Sequence, residues 1–178
     1  MTEIRTEGGS GGRKEEGRHI YRMTQELLSI GEDYWIEDEK WEKAFYVDGK
    51  AFRLRDTLIF KDAQGRDLYK IQERLLKLRD TMDIKRPDDG IAATVKKALI
   101  TILRDRWKVE VPDGNDMDIR GNILDHEYRI DVEGERIAEV SKKWFRIRDT
   151  YGVEIEPGQD NALILAITTA LDQMAHED

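Results

Sequence analysis

The segment Asn161-Ala-Leu-Ile-Leu-Ala-Ile-Thr-Thr-Ala-Leu-Asp-Gln-Met174 places the strongest limit on how this chain can fold. On a helical wheel, Ala162 to Ile167 and then Ala170, Leu171 and Met174 cover almost the whole circumference, and a helix that is apolar all round has to be enclosed by protein or lipid. At about 14 residues it falls short of the ~20 that a bilayer span needs. The expectation is a helix, with Leu163, Ile164, Leu165, Ile167 and Leu171 at its centre, wrapped by everything that precedes it. Asp160, after Pro157-Gly158, is placed to cap it, because its side-chain oxygen can accept from the first unpaired amides.

What precedes it alternates. Phe45 and Val47, Phe52 and Leu54, Tyr69 and Ile71, Leu76 and Leu78, and Ile91, Ala93 and Val95 each mark one face of a strand. Trp107, Val109 and Val111, then Tyr128, Ile130 and Val132, and finally Phe145 and Ile147 continue the pattern, with polar residues between them. Asp48-Gly49, Gln64-Gly65, Asp89-Gly90, Asp113-Gly114 and Glu133-Gly134 punctuate these runs as hairpin signals. The spacing predicts an antiparallel meander of roughly ten to twelve strands. An ungapped self-alignment sets Gly65 to Thr81 on Gly134 to Thr150, with Leu68 over Ile137, Ile71 over Val140, Leu75 over Trp144 and Leu76 over Phe145. Repeated hairpins with one apolar face bury it by closing on each other. The fold expected is therefore mainly β: a closed antiparallel barrel, free of exposed edges, around the C-terminal helix.

Residues 1–17 are Gly-rich and charged with almost nothing apolar, the composition of a flexible tail, and 18–178 read as a single domain. Gly8-Gly-Ser-Gly-Gly-Arg-Lys14 lacks both the preceding strand and the Gly-Lys-Ser/Thr ending of a phosphate-binding loop. The formal net charge is −8, against a general nucleic-acid binder. There is no cysteine, so disulfides, thiolate catalysis and zinc-thiolate sites are excluded. No signal peptide or membrane span is legible, and the expectation is a soluble, cytoplasmic protein whose membrane contact, if any, is peripheral.

Several short stretches resemble the LURP-one-related family of the YxjI type. They are Tyr21-Arg-Met-Thr-Gln-Glu-Leu-Leu-Ser-Ile-Gly31, the recurring Arg-Asp-Thr corners, Val95-Lys-Lys-Ala-Leu99, Leu103-Arg-Asp-Arg-Trp107, Gly121-Asn122-Ile123 and Leu171-Asp-Gln-Met174. The resemblance runs from about Ile20 to Met174. It implies a tubby-like, phospholipid-scramblase-like fold, in which a twelve-stranded barrel surrounds a hydrophobic central helix. Tubby domains bind phosphoinositides and scramblases act at membranes, so what it implies for function is peripheral binding of anionic phospholipid. Fold does not fix function, and a protein-interaction or structural module with no small-molecule ligand is the alternative.

Arg55-Asp56, Arg79-Asp80, Arg104-Asp105 and Arg148-Asp149 recur at expected strand ends. They read as structural corners rather than a ring of anion-binding arginines, since a repeat distributes residues that a site would need once. Lys96, Lys97, Lys142, Lys143, Trp144 and Arg146 are the candidate anionic-lipid patch, provided that folding makes them adjacent; solvated strand faces with edge-protecting lysines are the competing reading. Asp113, Asn115, Asp116 and Asp118 fail calcium-loop spacing because Met117 stands where a ligand is needed. His19, His126 and His176 are scattered, with no metal-ligand spacing, and neither Ser29 nor Ser141 sits in a nucleophile elbow. No catalytic constellation, metal site or cofactor is read, and the chain is expected to be a non-enzymatic binding or scaffold protein.

Overall fold

The structure, a computed structural model, describes residues 17–24, 33–49, 57–74, 81–97, 106–145 and 150–176. Twelve strands follow one another: β1 (His19–Thr24), β2 (Tyr34–Glu37), β3 (Lys43–Asp48), β4 (Thr57–Asp62), β5 (Asp67–Glu73), β6 (Thr81–Lys85), β7 (Ile91–Lys97), β8 (Arg106–Glu110), β9 (Met117–Asn122), β10 (Glu127–Val132), β11 (Glu135–Ser141) and β12 (Thr150–Ile155). Each pairs antiparallel with its sequence neighbours, and β12 pairs back on β1 from His19↔Ile155 to Thr24↔Thr150, closing the barrel. The chain ends in α1 (Asn161–His176), two residues beyond the apolar stretch.

Alternation drives the closure. In β8, Trp107 and Val109 are buried while Arg106, Lys108 and Glu110 are exposed, so a single apolar face per strand points to the axis. There it meets α1, whose Leu165, Ala166, Ile167, Ala170 and Leu171 are wholly inaccessible. Burying each such leucine or isoleucine contributes roughly 1.5–3 kcal/mol. Leu163 sits half-buried near the helix N-terminus. Asp160 caps the helix as expected: its Oδ1 accepts from Leu163 N at 3.0 Å and its backbone oxygen from Ile164 N at 3.0 Å. Among the described residues no helix is long and apolar enough to cross a membrane.

The structure differs from the sequence pattern in two places. At β6 and β7 the outward positions are buried as well, because Arg74 lies over them: its Nε and Nη2 donate to Asp83 at 2.9 and 2.5 Å, and the Thr94 hydroxyl donates to the same carboxylate at 2.9 Å. The second departure follows β11. A strand through Phe145 was expected, but Lys142–Trp144 form a 3₁₀ turn and Phe145 lies outside any ladder, while Ile147 falls outside the described residues. The turn forms because Ser141 Oγ accepts from Lys143 N at 3.1 Å and Glu127 accepts from Lys142 N at 3.2 Å, taking amides that a ladder would have used.

Candidate functional site

Strand register, which no local pattern encodes, assembles a row of cations on the outside of the barrel. Arg106 of β8 stands opposite Arg120 of β9, which stands opposite Arg129 of β10. Next to this row, Lys96 of β7 stands opposite Lys108. Like charges directly opposite on neighbouring strands are destabilising, so such a row needs negative charge brought to it. Part comes from Asp131, whose side chain is only 2% exposed: Arg129 Nε donates to it at 3.1 Å and Arg120 Nε lies at 3.9 Å. Asp118 lies 3.7 Å from Arg120, and Lys96 donates to Glu110 at 2.5 Å. Among the described residues, Arg106 and Lys108 have no ion-pair partner. Beyond Arg129 lies a shallow groove of about 310 Å³ between Arg120, Arg129, Arg136, Glu127 and Glu139.

The groove runs into the 3₁₀ turn through Glu127, which accepts from Ser141 Oγ at 3.0 Å and from Lys143 Nζ at 3.0 Å. Partial burial pushes the Glu127 carboxyl up, but the hydrogen bonds from Lys143, Ser141 and Lys142 outweigh it and hold the group below its usual range. Past the turn, the Trp144 and Phe145 rings lie on Gly152 of β12, where an added Cβ would come within 2.5 and 2.8 Å of them. Glycine is what lets both rings settle there. Phe145 meets Trp41 edge-on at 6.2 Å, and the Arg22 guanidinium covers the Trp41 ring at 3.7 Å while pairing with Glu37. Trp41 (54% exposed) and Trp144 (37%) thus belong to one aromatic ridge across β12, β1 and the β2–β3 hairpin.

Of the residues expected to form a patch, Lys142, Lys143 and Trp144 are brought together on this turn. Lys96 and Lys97 lie on β7, with β8, β9 and β10 between that strand and β11. They also diverge from each other: Lys96 faces outward, whereas Lys97 lies over the Trp107 ring at 5.5 Å at the strand end. Arg146 falls outside the described residues, as do the corners Arg55, Asp56, Arg79, Asp80, Arg104, Asp105, Arg148 and Asp149. In the acidic loop, Asp113 accepts from Arg86 at 2.9 Å and Asp116 from Val111 N at 3.1 Å.

A second set of residues converges in a way the sequence reading, which took His126 only as one of three scattered histidines, did not reach. His126 is fully buried, with Nε2 3.3 Å from Asp172 Oδ1 on α1. Tyr151 donates its hydroxyl to the same carboxylate and stacks its ring on His126 at 4.1 Å. Tyr34 donates to Thr169 at 3.3 Å, while Thr168 and Thr169 donate to Ile164 and Leu165 carbonyls. Burial, reinforced by the Asp172 charge, pushes Tyr128 and Tyr151 far above the usual phenol range. The available signal was Asp172 itself, since a carboxylate in an apolar enclosed helix requires a buried partner.

Comparison with known proteins places this geometry among relatives. Residues 19–172 match the family described as LURP-one-related. The uncharacterized protein YxjI of Bacillus subtilis (strain 168) is 27% identical over 157 residues, covering 88% of this chain and 93% of its own. The X-ray structure of the Arabidopsis thaliana protein AT5G01750 matches with a TM-score of 0.66 at 19% identity, covering 87% of this chain and 90% of that one. At that identity the likeness is one of fold.

Proposed function

The chain belongs to the LURP-one-related family, and from that premise we propose that it is a non-enzymatic cytoplasmic binding or scaffold protein that docks peripherally on anionic phospholipid. The observation that carries the reading is the juxtaposition at the end of β11: the exposed Trp144, joined through Phe145 to the exposed Trp41, sits beside Lys142 and Lys143. An indole favours the interfacial region of a bilayer, and each lysine near an anionic surface contributes about 1 kcal/mol. The groove and the arginine row extend the positive face away from this turn. Because α1 occupies the barrel axis, ligand contact falls to the outside of the barrel.

Co-sedimentation with vesicles tests the reading. The protein is expected to pellet with phosphatidylcholine vesicles containing phosphatidylserine and not with phosphatidylcholine alone. Lys142→Glu/Lys143→Glu should weaken binding by at least about 2 kcal/mol, a loss of ~30-fold or more. Equal, negligible pelleting in both mixtures would defeat it and leave a protein-interaction or structural module with no small-molecule ligand.

A further inference from the structure

The arginine groove holds more detail than a diffuse positive surface requires. Asp131 is 2% exposed yet carries a carboxylate, and its Oδ2 is directed at two guanidiniums on different strands, Arg129 Nε at 3.1 Å and Arg120 Nε at 3.9 Å. Both contacts use Nε, and Asp118 lies 3.7 Å from Arg120 Nη2, so Arg120 Nη1 and the terminal amino groups of Arg129 remain for an acceptor on the outer side. Register sets the two arginines directly opposite, with Cβ atoms about 5 Å apart, and adds Arg106 at the same spacing. Among the described residues two carboxylates, Asp131 and Asp118, approach the Arg120 and Arg129 pair, and Arg106 has no ion-pair partner, so the row of three arginines keeps an excess positive charge. Guanidinium forks match oxyanions by paired N–H donors. A lone carboxylate offers two oxygens and one charge, which suits one fork. A phosphate monoester offers three terminal oxygens and close to two charges, enough to bridge both forks and offset the repulsion between them.

We infer that the groove over β9, β10 and β11 is a binding site for a phosphate monoester, clasped by Arg120 and Arg129, which Asp131 orients from behind. This deepens the anionic-surface reading and rests on it for the membrane source of the ligand, although the same headgroup chemistry could come from a soluble ester. Glu127 and Glu139 on the groove wall limit its charge, so the site selects a compact group over an extended polyanion.

Two probes separate the sources: glycerol 3-phosphate by calorimetry, and phosphatidylcholine vesicles with or without phosphatidic acid by co-sedimentation. Each is run on the full chain and on Arg120→Gln, Arg129→Gln and Asp131→Asn, with melting curves to confirm folding. Saturable glycerol 3-phosphate binding, weakened about tenfold or more in either arginine variant and less in Asp131→Asn, is the expected result. It also supports the inference if vesicles fail to pellet, a case in which the source is soluble and the membrane reading falls. Equal affinity in the parent chain and both arginine variants overturns the inference. So does a response that sodium chloride of matched ionic strength reproduces. Pelleting with phosphatidic acid that ignores Arg129→Gln but is lost in Trp144→Ala likewise overturns it, while leaving peripheral docking intact.

Discussion

Replacing His126 with leucine should destabilise the fold by about 3–5 kcal/mol, the usual cost of leaving a buried carboxylate without the polar group that faces it. The Asp172 carboxylate is 1% exposed on the last turns of α1, where the helix dipole already disfavours negative charge. It accepts from Tyr151 and faces His126 Nε2 at 3.3 Å. Leucine at 126 takes away the polar ring nitrogen that faces the carboxylate. It must also adopt the φ of 52° that His126 holds, at roughly 1 kcal/mol, since histidine tolerates this region better than leucine. For a chain of this length, 3–5 kcal/mol corresponds to a Tm drop of roughly 6–20 °C.

A double-mutant cycle with Asp172→Leu, read by chemical denaturation, separates pair from backbone. The positive-φ cost appears in both His126→Leu chains and cancels. Removing both polar groups leaves neither orphaned, so the double variant should be less destabilised than the sum of the singles by about 0.5–3 kcal/mol. Strict additivity, or a cost below ~1 kcal/mol for His126→Leu alone, would refute the view that this pair anchors α1 in the barrel.

Leu165→Asp puts an unpaired carboxylate on a fully buried face of α1 and should abolish folding; a soluble variant that still melts cooperatively would sink the enclosed-helix architecture. Alkaline titration should show no phenolate absorbance near pH 10 while the barrel is folded. Burial first, then in most cases nearby carboxylates, raises all six tyrosines, Tyr46 and Tyr69 to about 12. A raised folded pKa adds stability below the unfolded value near 10 that is lost as pH rises toward the folded values, so ionisation should coincide with unfolding. Tyrosines that titrate freely near 10 in a folded chain would refute this.

Much of the architecture was legible because it rests on local rules. Glu133-Gly134 announced a two-residue hairpin needing positive φ at both positions, and the structure gives 51° and 91°. The apolar Ala162 to Ile167, continued by Ala170 and Leu171, required enclosure, and alternation in β8 and β10 supplied the wall. Local rules also overreached. Phe145 continues the alternation of a strand, but Ser141 and Glu127 capture the Lys142 and Lys143 amides and turn the chain first. The arginine row lay beyond reach for a different reason. Arg106, Arg120 and Arg129 are unremarkable outward positions in their own strands, and only the register between strands sets them face to face.

That distinction between period and register also explains why the anticipated patch divided. Lys96 and Lys97 are neighbours in sequence, so in a strand they take opposite faces, and only Lys96 could join an outer surface. Lys142 and Lys143 avoid that rule because the 3₁₀ turn abandons the two-residue period and lets consecutive side chains leave the barrel near each other. Trp144 follows in the same turn and settles on the flat backbone of Gly152, which brings a large apolar ring out beside them. The departure from strand geometry is thus what concentrates cations and an indole at one point of an otherwise regular wall. Gly152→Ala tests this link: an added methyl would push the Trp144 and Phe145 rings off β12, so it should raise tryptophan exposure to acrylamide quenching with little loss of barrel stability. Unchanged quenching would show that the ring does not depend on that glycine.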